Sequence, residues 1–230
     1  MIVLPRLYPI LDASCFSGTL DLIRSAEELV AAGVTLIQYR NKSGNARVML
    51  EQARELRRCF GPQDQNPHPR IANNAILGWG TLSPERPKTV RLIMNDRADL
   101  CLGAEFDGVH VGQDDLSPKA VRAIIGLDRW LGVSTHNPEQ VREAELTSAD
   151  YIALGPVFST SSKERPDPEV GLEGVRRARA LTRKPLVAIG GITRANAVSV
   201  IEAGADSVAV ISDLLREPGK SAEEFFRVLR

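Results

Sequence analysis

Eight short apolar runs, each followed by polar or glycine residues and then by a helix-like stretch, constrain the fold of this chain most. The runs are "LYPIL" (7–11), "LIQY" (36–39), "VRLIM" (90–94), "GVHV" (108–111), "WLGVS" (130–134), "YIALG" (151–155), "LVAIG" (186–190) and "SVAVI" (207–211). They are rich in Val, Ile and Leu and alternate weakly, as parallel strands covered on both faces do. Amphipathic stretches lie between them, at 19–33, 45–59, 117–126, 137–146, 171–182 and 194–204. "SPKA" and "NPEQ" each set an N-cap residue before a proline suited to the first helical position. "AAGVTLIQ", "EFDGVHVG", "TSADYIALG" and "EAGADSVAVI" repeat one theme, a helix end turning briefly into a buried strand. Eight strands alternating with helices predict a closed (β/α)8 TIM barrel spanning residues 1–230. An open doubly wound sheet is the alternative, although no G-x-G-x-x-G follows an early strand.

Composition narrows the function. At 230 residues and 43% hydrophobic, the chain can bury a sizeable core. Its 29 basic and 29 acidic side chains cancel, which gives no global attraction to nucleic acid or an anionic membrane. Three cysteines without C-x-x-C spacing argue against a disulfide framework or zinc ribbon and are read as packing residues. The three histidines form no H-E-x-x-H pattern. "MIVLPRLYPILD" lacks the long apolar region of a signal peptide, and no stretch approaches a membrane span. The expectation is a soluble cytoplasmic protein that acts on small molecules, with homo-oligomerisation open.

Residues 60–89 break the rhythm. They hold five of the fourteen prolines and no clear period. A connection of that length is unusual in a compact domain, so the segment reads as an insertion between the second helix and third strand. Helix-to-strand connections of such a barrel lie on the face opposite the active site.

In a barrel of this kind the active site is built at the carboxyl ends of the strands. The strand ends here are "QYRNK", "MNDR", "GVHVGQDD", "GVSTH", "GPVFSTSSK", "AIGGI" and "AVISD". Arg40, Lys42 and Lys163 suit a multiply anionic group such as a diphosphate. Asp96 and Asp115 are hard oxygen ligands that could share one Mg²⁺, an ion that takes one or two carboxylates plus substrate phosphates. Gly190, Gly191 and Ser212 fall in the quarter where such barrels bind phosphate, and glycine lets backbone N–H groups come close. Each feature has a plainer reading. Asn95–Asp96 could be a turn or helix cap, and His110 on an apolar strand could be a satisfied core histidine. Ser134 and His136 are not in a G-x-S-x-G context. The shared position just past a strand is what favours a site.

The ordered set Q-x-R-x-K, N-D-R-x-D, D-G-V-H-V-G-Q-D-D, G-V-S-x-H, G-P-V-F-x-T-x-x-K, I-G-G-I and A-G-A-D-S-V-A-V-I-S resembles the thiamine phosphate synthase family over nearly the whole chain except 60–89. The resemblance implies condensation of 4-amino-2-methyl-5-(diphosphooxymethyl)pyrimidine with a thiazole phosphate, carboxylated or not, to give thiamine phosphate and diphosphate. By position it implies that Gln38, Tyr39, Arg40, Asn41, Lys42, Asn95, Ser134 and Lys163 hold the pyrimidine diphosphate, with His110 a further contact. Asp96 and Asp115 would hold one Mg²⁺. Thr160, Ser161, Ser162, Gly191, Ile211 and Ser212 would hold the thiazole phosphate. Arg40, Lys42, Lys163 and Ser134 are the expected catalytic set, and Asp114 a neighbouring acid. Two other readings are a thiazole tautomerase-like paralogue, which tends to lose the metal acids and keep the histidine at His136, and a non-catalytic phosphate-binding barrel.

Overall fold

The computed structural model describes residues 2–61, 90–160 and 168–230. Its elements alternate strictly: β1 (Leu7–Asp12), α1 (Thr19–Ala31), β2 (Leu36–Arg40), α2 (Ala46–Phe60), β3 (Arg91–Asn95), α3 (Ala98–Gly103), β4 (Gly108–Val111) and α4 (Pro118–Ile125) form the first half. The second half is β5 (Trp130–Thr135), α5 (Pro138–Glu145), β6 (Tyr151–Leu154), α6 (Gly171–Leu181), β7 (Leu186–Ile189), α7 (Ala197–Glu202), β8 (Ser207–Val210) and α8 (Pro218–Val228). The strands pair in chain order, all parallel, and β8 closes on β1. This is the closed barrel, and the open sheet is ruled out. Each apolar run is a strand with ends shifted by at most one residue.

Local chemistry explains the helix starts. Ser117 accepts from the Ala120 N–H and Asn137 from the Gln140 N–H, each with proline next in the chain. Asn45 caps α2 through the Val48 N–H. Two helices lack a clear sequence signal. α3 is six residues, too short to show a period. α8 opens on Pro218–Gly219, which reads as a turn, yet it buries Ala222 and Phe225. α2 ends at Phe60 and β3 begins at Arg91, so the connection between them begins where the sequence places it. Residues 62–89 themselves lie outside the described residues.

Strand alternation divides the core in two. Outward side chains such as Leu7, Leu92, Val109, Leu131, Ile152 and Val208 pack under the helices. Inward ones, including Tyr8, Ile10, Leu36, Ile93, Tyr151, Val187 and Ala209, fill the barrel. Below them, a tie recurs. Asp107 accepts from the Leu92 N–H at 2.7 Å, Asp150 from Leu131 at 2.7 Å and Asp206 from Leu186 at 2.8 Å. Each carboxylate also meets an arginine of the helix that immediately precedes the strand it ties: Arg57 of α2, Arg122 of α4 and Arg179 of α6. These aspartates are the acids of the "FDG", "SAD" and "GAD" repeats. They serve the lower rim, not chemistry. At the corresponding position before β2 stands Thr35.

Candidate active site

A cavity of about 300 Å³ opens at the carboxyl ends of the strands. Gln38, Arg40, Lys42, Asn95, Asp96, His110, Asp115, Ser134, Thr160, Gly191, Ile211 and Ser212 all line it, with Asp114 beside Asp115. Twelve residues from seven strand ends thus meet in one space. Ser161, Ser162 and Lys163 lie outside the described residues. Tyr39 and Asn41 do not join the set. The two-residue period that turns Gln38, Arg40 and Lys42 inward sends these two toward α2. The Tyr39 hydroxyl donates to Gln52 Oε1 at 2.6 Å, and Asn41 Nδ2 donates to the same oxygen at 3.0 Å. Burial pushes the Tyr39 phenol up to about 12. An unbroken ligand run from Gln38 to Lys42 is therefore corrected to its inward members, and the other two fasten β2 to its helix.

Charges gather on one side of the mouth. Arg40 is ion-paired to Asp12, and Lys42 to Asp96. Asp96 sits at φ +62°, in the left-handed region that few residues other than glycine, asparagine and aspartate adopt readily. Its N–H donates to the His110 carbonyl at 2.7 Å. Asp115 accepts from the Gly112 N–H at 2.7 Å, which closes the loop after β4. The helix-cap reading of Asn95–Asp96 does not hold, because Arg97 stands at the N-cap of α3 without a side-chain bond. Burial pushes the Asp96 carboxyl above its ordinary pKa, and the facing Asp115 adds to this while Lys42 opposes it. Asn95 Nδ2 is buried with no hydrogen-bond partner among the described residues.

These features suit a hard divalent cation. Two carboxylates from adjacent strand ends repel each other unless a positive charge stands by, and here Lys42 is that charge. Among the described residues no three His, Cys, Asp or Glu side chains converge as a metal cluster. A two-carboxylate set therefore fits Mg²⁺, which completes its shell with water and phosphate, and not a protein-enclosed zinc.

The cavity floor is a hydrogen-bonded row. Gln38 Nε2 reaches Tyr8 Oη at 3.0 Å, Tyr8 Oη lies 3.0 Å from Tyr151 Oη, and Tyr151 Oη lies 3.1 Å from His110 Nδ1. His110 Nε2 then meets Ser134 Oγ at 2.8 Å. Both readings of His110 apply, since it is a satisfied buried histidine and part of the cavity wall. Gly132 makes the row possible: a Cβ there would stand 2.2 Å from Tyr151 Cζ and 2.3 Å from His110 Nδ1. Burial drives both phenols up.

Burial also drives His110 down from 6.5 to about 4, with Asp115 pulling weakly the other way. A depressed folded pKa means that the unfolded chain binds the proton first. Stability from this group is complete above pH 6.5 and is lost as pH falls through about 4. We expect His110→Gln to flatten the metal-free stability curve across that window by about 3 kcal/mol at its acid end. Urea unfolding from pH 7 to pH 4 reads this out, and parallel curves would show that His110 is protonated when folded.

The opposite quarter of the mouth is backbone. Gly190 and Gly191 take φ of +98° and +62°, and a Cβ on Gly191 would stand 2.4 Å from the Ser159 carbonyl. Asn196 Nδ2 holds the Gly191 carbonyl at 3.0 Å. Arg194 binds Asp213 and Glu224, which anchors the short 3-10 turn Ser212–Leu214 after β8. His136 Nδ1 lies 2.6 Å from the Gly155 carbonyl, so it faces a backbone acceptor.

Several contributors escape a sequence reading. Asp12 looks like the polar end of β1 but is 5% exposed and paired to Arg40. Tyr8 and Tyr151 pass for core aromatics. Gln113, which donates to the Ser134 carbonyl at 2.6 Å, has no local signal. A buried tyrosine must find a hydrogen-bond partner, and two of them on inward strand positions could have flagged the floor.

Comparison with known proteins agrees with this geometry. A family model described as thiamine monophosphate synthase matches residues 83–214. A thiamine-phosphate synthase of Koribacter versatilis (strain Ellin345) is 52% identical over 229 residues, covering 98% of this chain and 96% of that protein. One from Chloroflexus aurantiacus is 38% identical over 207 residues, covering 90% and 83%. Among solved structures, thiamine phosphate pyrophosphorylase from Pyrococcus furiosus superposes with a TM-score of 0.75 at 27% identity, covering 97% of this chain and 95% of that one.

Proposed function

Because the chain belongs to the thiamine monophosphate synthase family, we propose that it condenses 4-amino-2-methyl-5-(diphosphooxymethyl)pyrimidine with a thiazole phosphate, releasing diphosphate and thiamine phosphate. It is a transferase of the thiamine-phosphate synthase type, acting on small molecules. No helix among the described residues is long and apolar enough to cross a membrane. The observation that carries the substrate reading is that one cavity joins a cationic edge, a polar floor and a glycine-built corner.

The chemistry asked of these residues is modest. The bond from the methylene carbon to the diphosphate oxygen breaks, and the diphosphate keeps the electron pair. The electron-rich aminopyrimidine supports the positive methylene, and the thiazole nitrogen supplies the pair for the new C–N bond. Arg40 and Lys42 stabilise the anion that departs. Asp12 holds the Arg40 guanidinium in place. Asp96 and Asp115 would hold one Mg²⁺, whose contribution there is charge neutralisation on the leaving group. Gln38, Asn95 and Ser134 orient the pyrimidine partner, and the packed floor keeps water from the cationic carbon. Thr160, Gly191, Ile211 and Ser212 face the thiazole phosphate. Lys163, Ser161 and Ser162 complete the proposal from their place in "GPVFSTSSK". The intact acid pair weighs against a tautomerase-like or non-catalytic barrel.

The test is product formation from the two purified substrates, with and without Mg²⁺. We expect equimolar thiamine phosphate and diphosphate with the ion and a collapse of the rate without it. Absence of product under both conditions would exclude the reading, and an undiminished rate in a chelator would exclude the metal.

A further inference from the structure

The row in the barrel floor has a direction. Gln38 Nε2 donates to Tyr8 Oη. The Tyr8 hydroxyl has one proton to give, and Tyr151 Oη, 3.0 Å away, is in reach to accept it. In that direction Tyr151 Oη would give its proton to His110 Nδ1, 3.1 Å away. Both ring nitrogens of His110 meet neutral hydroxyls in a buried setting, so the imidazole is neutral and carries one N–H. With Nδ1 accepting, that proton would sit on Nε2 and be donated to Ser134 Oγ, 2.8 Å away. Ser134 accepts there, and its own hydroxyl proton remains for the cavity that it lines. Run the other way, Tyr8 Oη would receive protons from both Gln38 and Tyr151. Its own proton would then have no acceptor among the described residues and only the cavity to point into, where Tyr8 is 1% exposed.

We propose that Tyr151, fully buried behind the cavity wall, is a positioning residue: through His110 it presents the Ser134 hydroxyl to the substrate as a hydrogen-bond donor. Gly132 is part of the device, since its missing side chain is what lets the tyrosine and histidine meet. The recipient rests on the proposed substrate cavity, whereas the proton arrangement belongs to the free protein. The two can therefore fail separately.

The first measurement is the tautomer of His110 in protein labelled with ¹⁵N-histidine, assigned with a His110→Gln control. The wild-type ring should be protonated at Nε2 and act as acceptor at Nδ1. Tyr151→Phe removes the donor to Nδ1 and should shift the ring away from that single tautomer. Tyr8→Phe leaves the Tyr151 proton on Nδ1 and should preserve it, so general loosening of the core is not what is read. The second measurement is kinetic. Tyr151→Phe should lower kcat/KM about tenfold, the worth of one hydrogen bond. In a Ser134→Ala background the same change should cost little more, because the two act as one unit. A wild-type ring protonated at Nδ1, an unchanged tautomer in Tyr151→Phe, or a full tenfold loss on top of Ser134→Ala would each overturn the proposal. Failure of the wild-type protein to form thiamine phosphate would instead overturn the reaction and leave the tautomer result standing.

Discussion

Asp96→Asn is expected to lower turnover at least about a hundredfold, in line with the loss of one preorganised electrostatic contact to developing charge, while thiazole phosphate still binds. The amide keeps the shape of the carboxylate and removes its charge. It ends the ion pair with Lys42 and leaves Asp115 without the carboxylate that faced it. A hard cation with one carboxylate fewer is held more weakly. The cost falls on the step in which the diphosphate departs, because its charge grows as the bond breaks. Single-turnover rates over a Mg²⁺ titration should show a reduced maximum and a midpoint moved to higher ion concentration. Thiazole phosphate affinity, measured separately by calorimetry, should change less than threefold, about 0.6 kcal/mol. Wild-type rates across the titration would remove Asp96 from the metal site.

Gly132→Ala should be the most damaging single-methyl change in the barrel floor. The added carbon would lie 2.2 Å from Tyr151 Cζ and 2.4 Å from its hydroxyl, with His110 Nδ1 at 2.3 Å on the other side. These rings lie on β4 and β6, the two strands that flank β5, at 5.5 Å between centroids, and neither is the free end of a flexible chain. Overpacking of this kind costs about 3 kcal/mol, which corresponds to a melting temperature lower by about 10 °C for a domain of this size. Activity should fall as well in the fraction that folds, since moving either ring breaks the row to Ser134. Thermal unfolding and turnover at a low temperature separate the two effects. A variant that melts with the wild type would mean that the strands can spread at no cost.

The fold was legible because its strands are apolar on both faces, which leaves short unbroken runs such as "VRLIM" and "SVAVI". α3 was not, because six residues cannot display a helical period, and α8 hides its start behind Pro218–Gly219. In the site, strand register alone made Arg40, Lys42, Asp96 and Asp115 visible, since all fall just past a strand. Register read as a run of neighbours misled at Tyr39 and Asn41, whose side chains follow the pleat to α2. Asp12 was missed for a different reason: its role lies in a partner twenty-eight positions away. The floor is a third case. Tyr8, His110 and Tyr151 come from β1, β4 and β6, and only closure of the barrel makes β1 and β6 face each other across its interior.

The aspartate ties of the lower rim are placed at every second seam. Asp107 joins β4 to β3, Asp150 joins β6 to β5 and Asp206 joins β8 to β7. Between these couples the strands share ladder hydrogen bonds without a carboxylate clasp of this kind among the described residues. The barrel is thus less a uniform ring than three fastened doublets and a fourth, β1 with β2, that carries Thr35 where the clasp would be. That unclasped doublet is the one that delivers Gln38, Arg40 and Lys42. The tie between β1 and β2 lies instead at the upper rim, where Asp12 pairs with Arg40, so this doublet is fastened at the mouth of the cavity and the other three at its base.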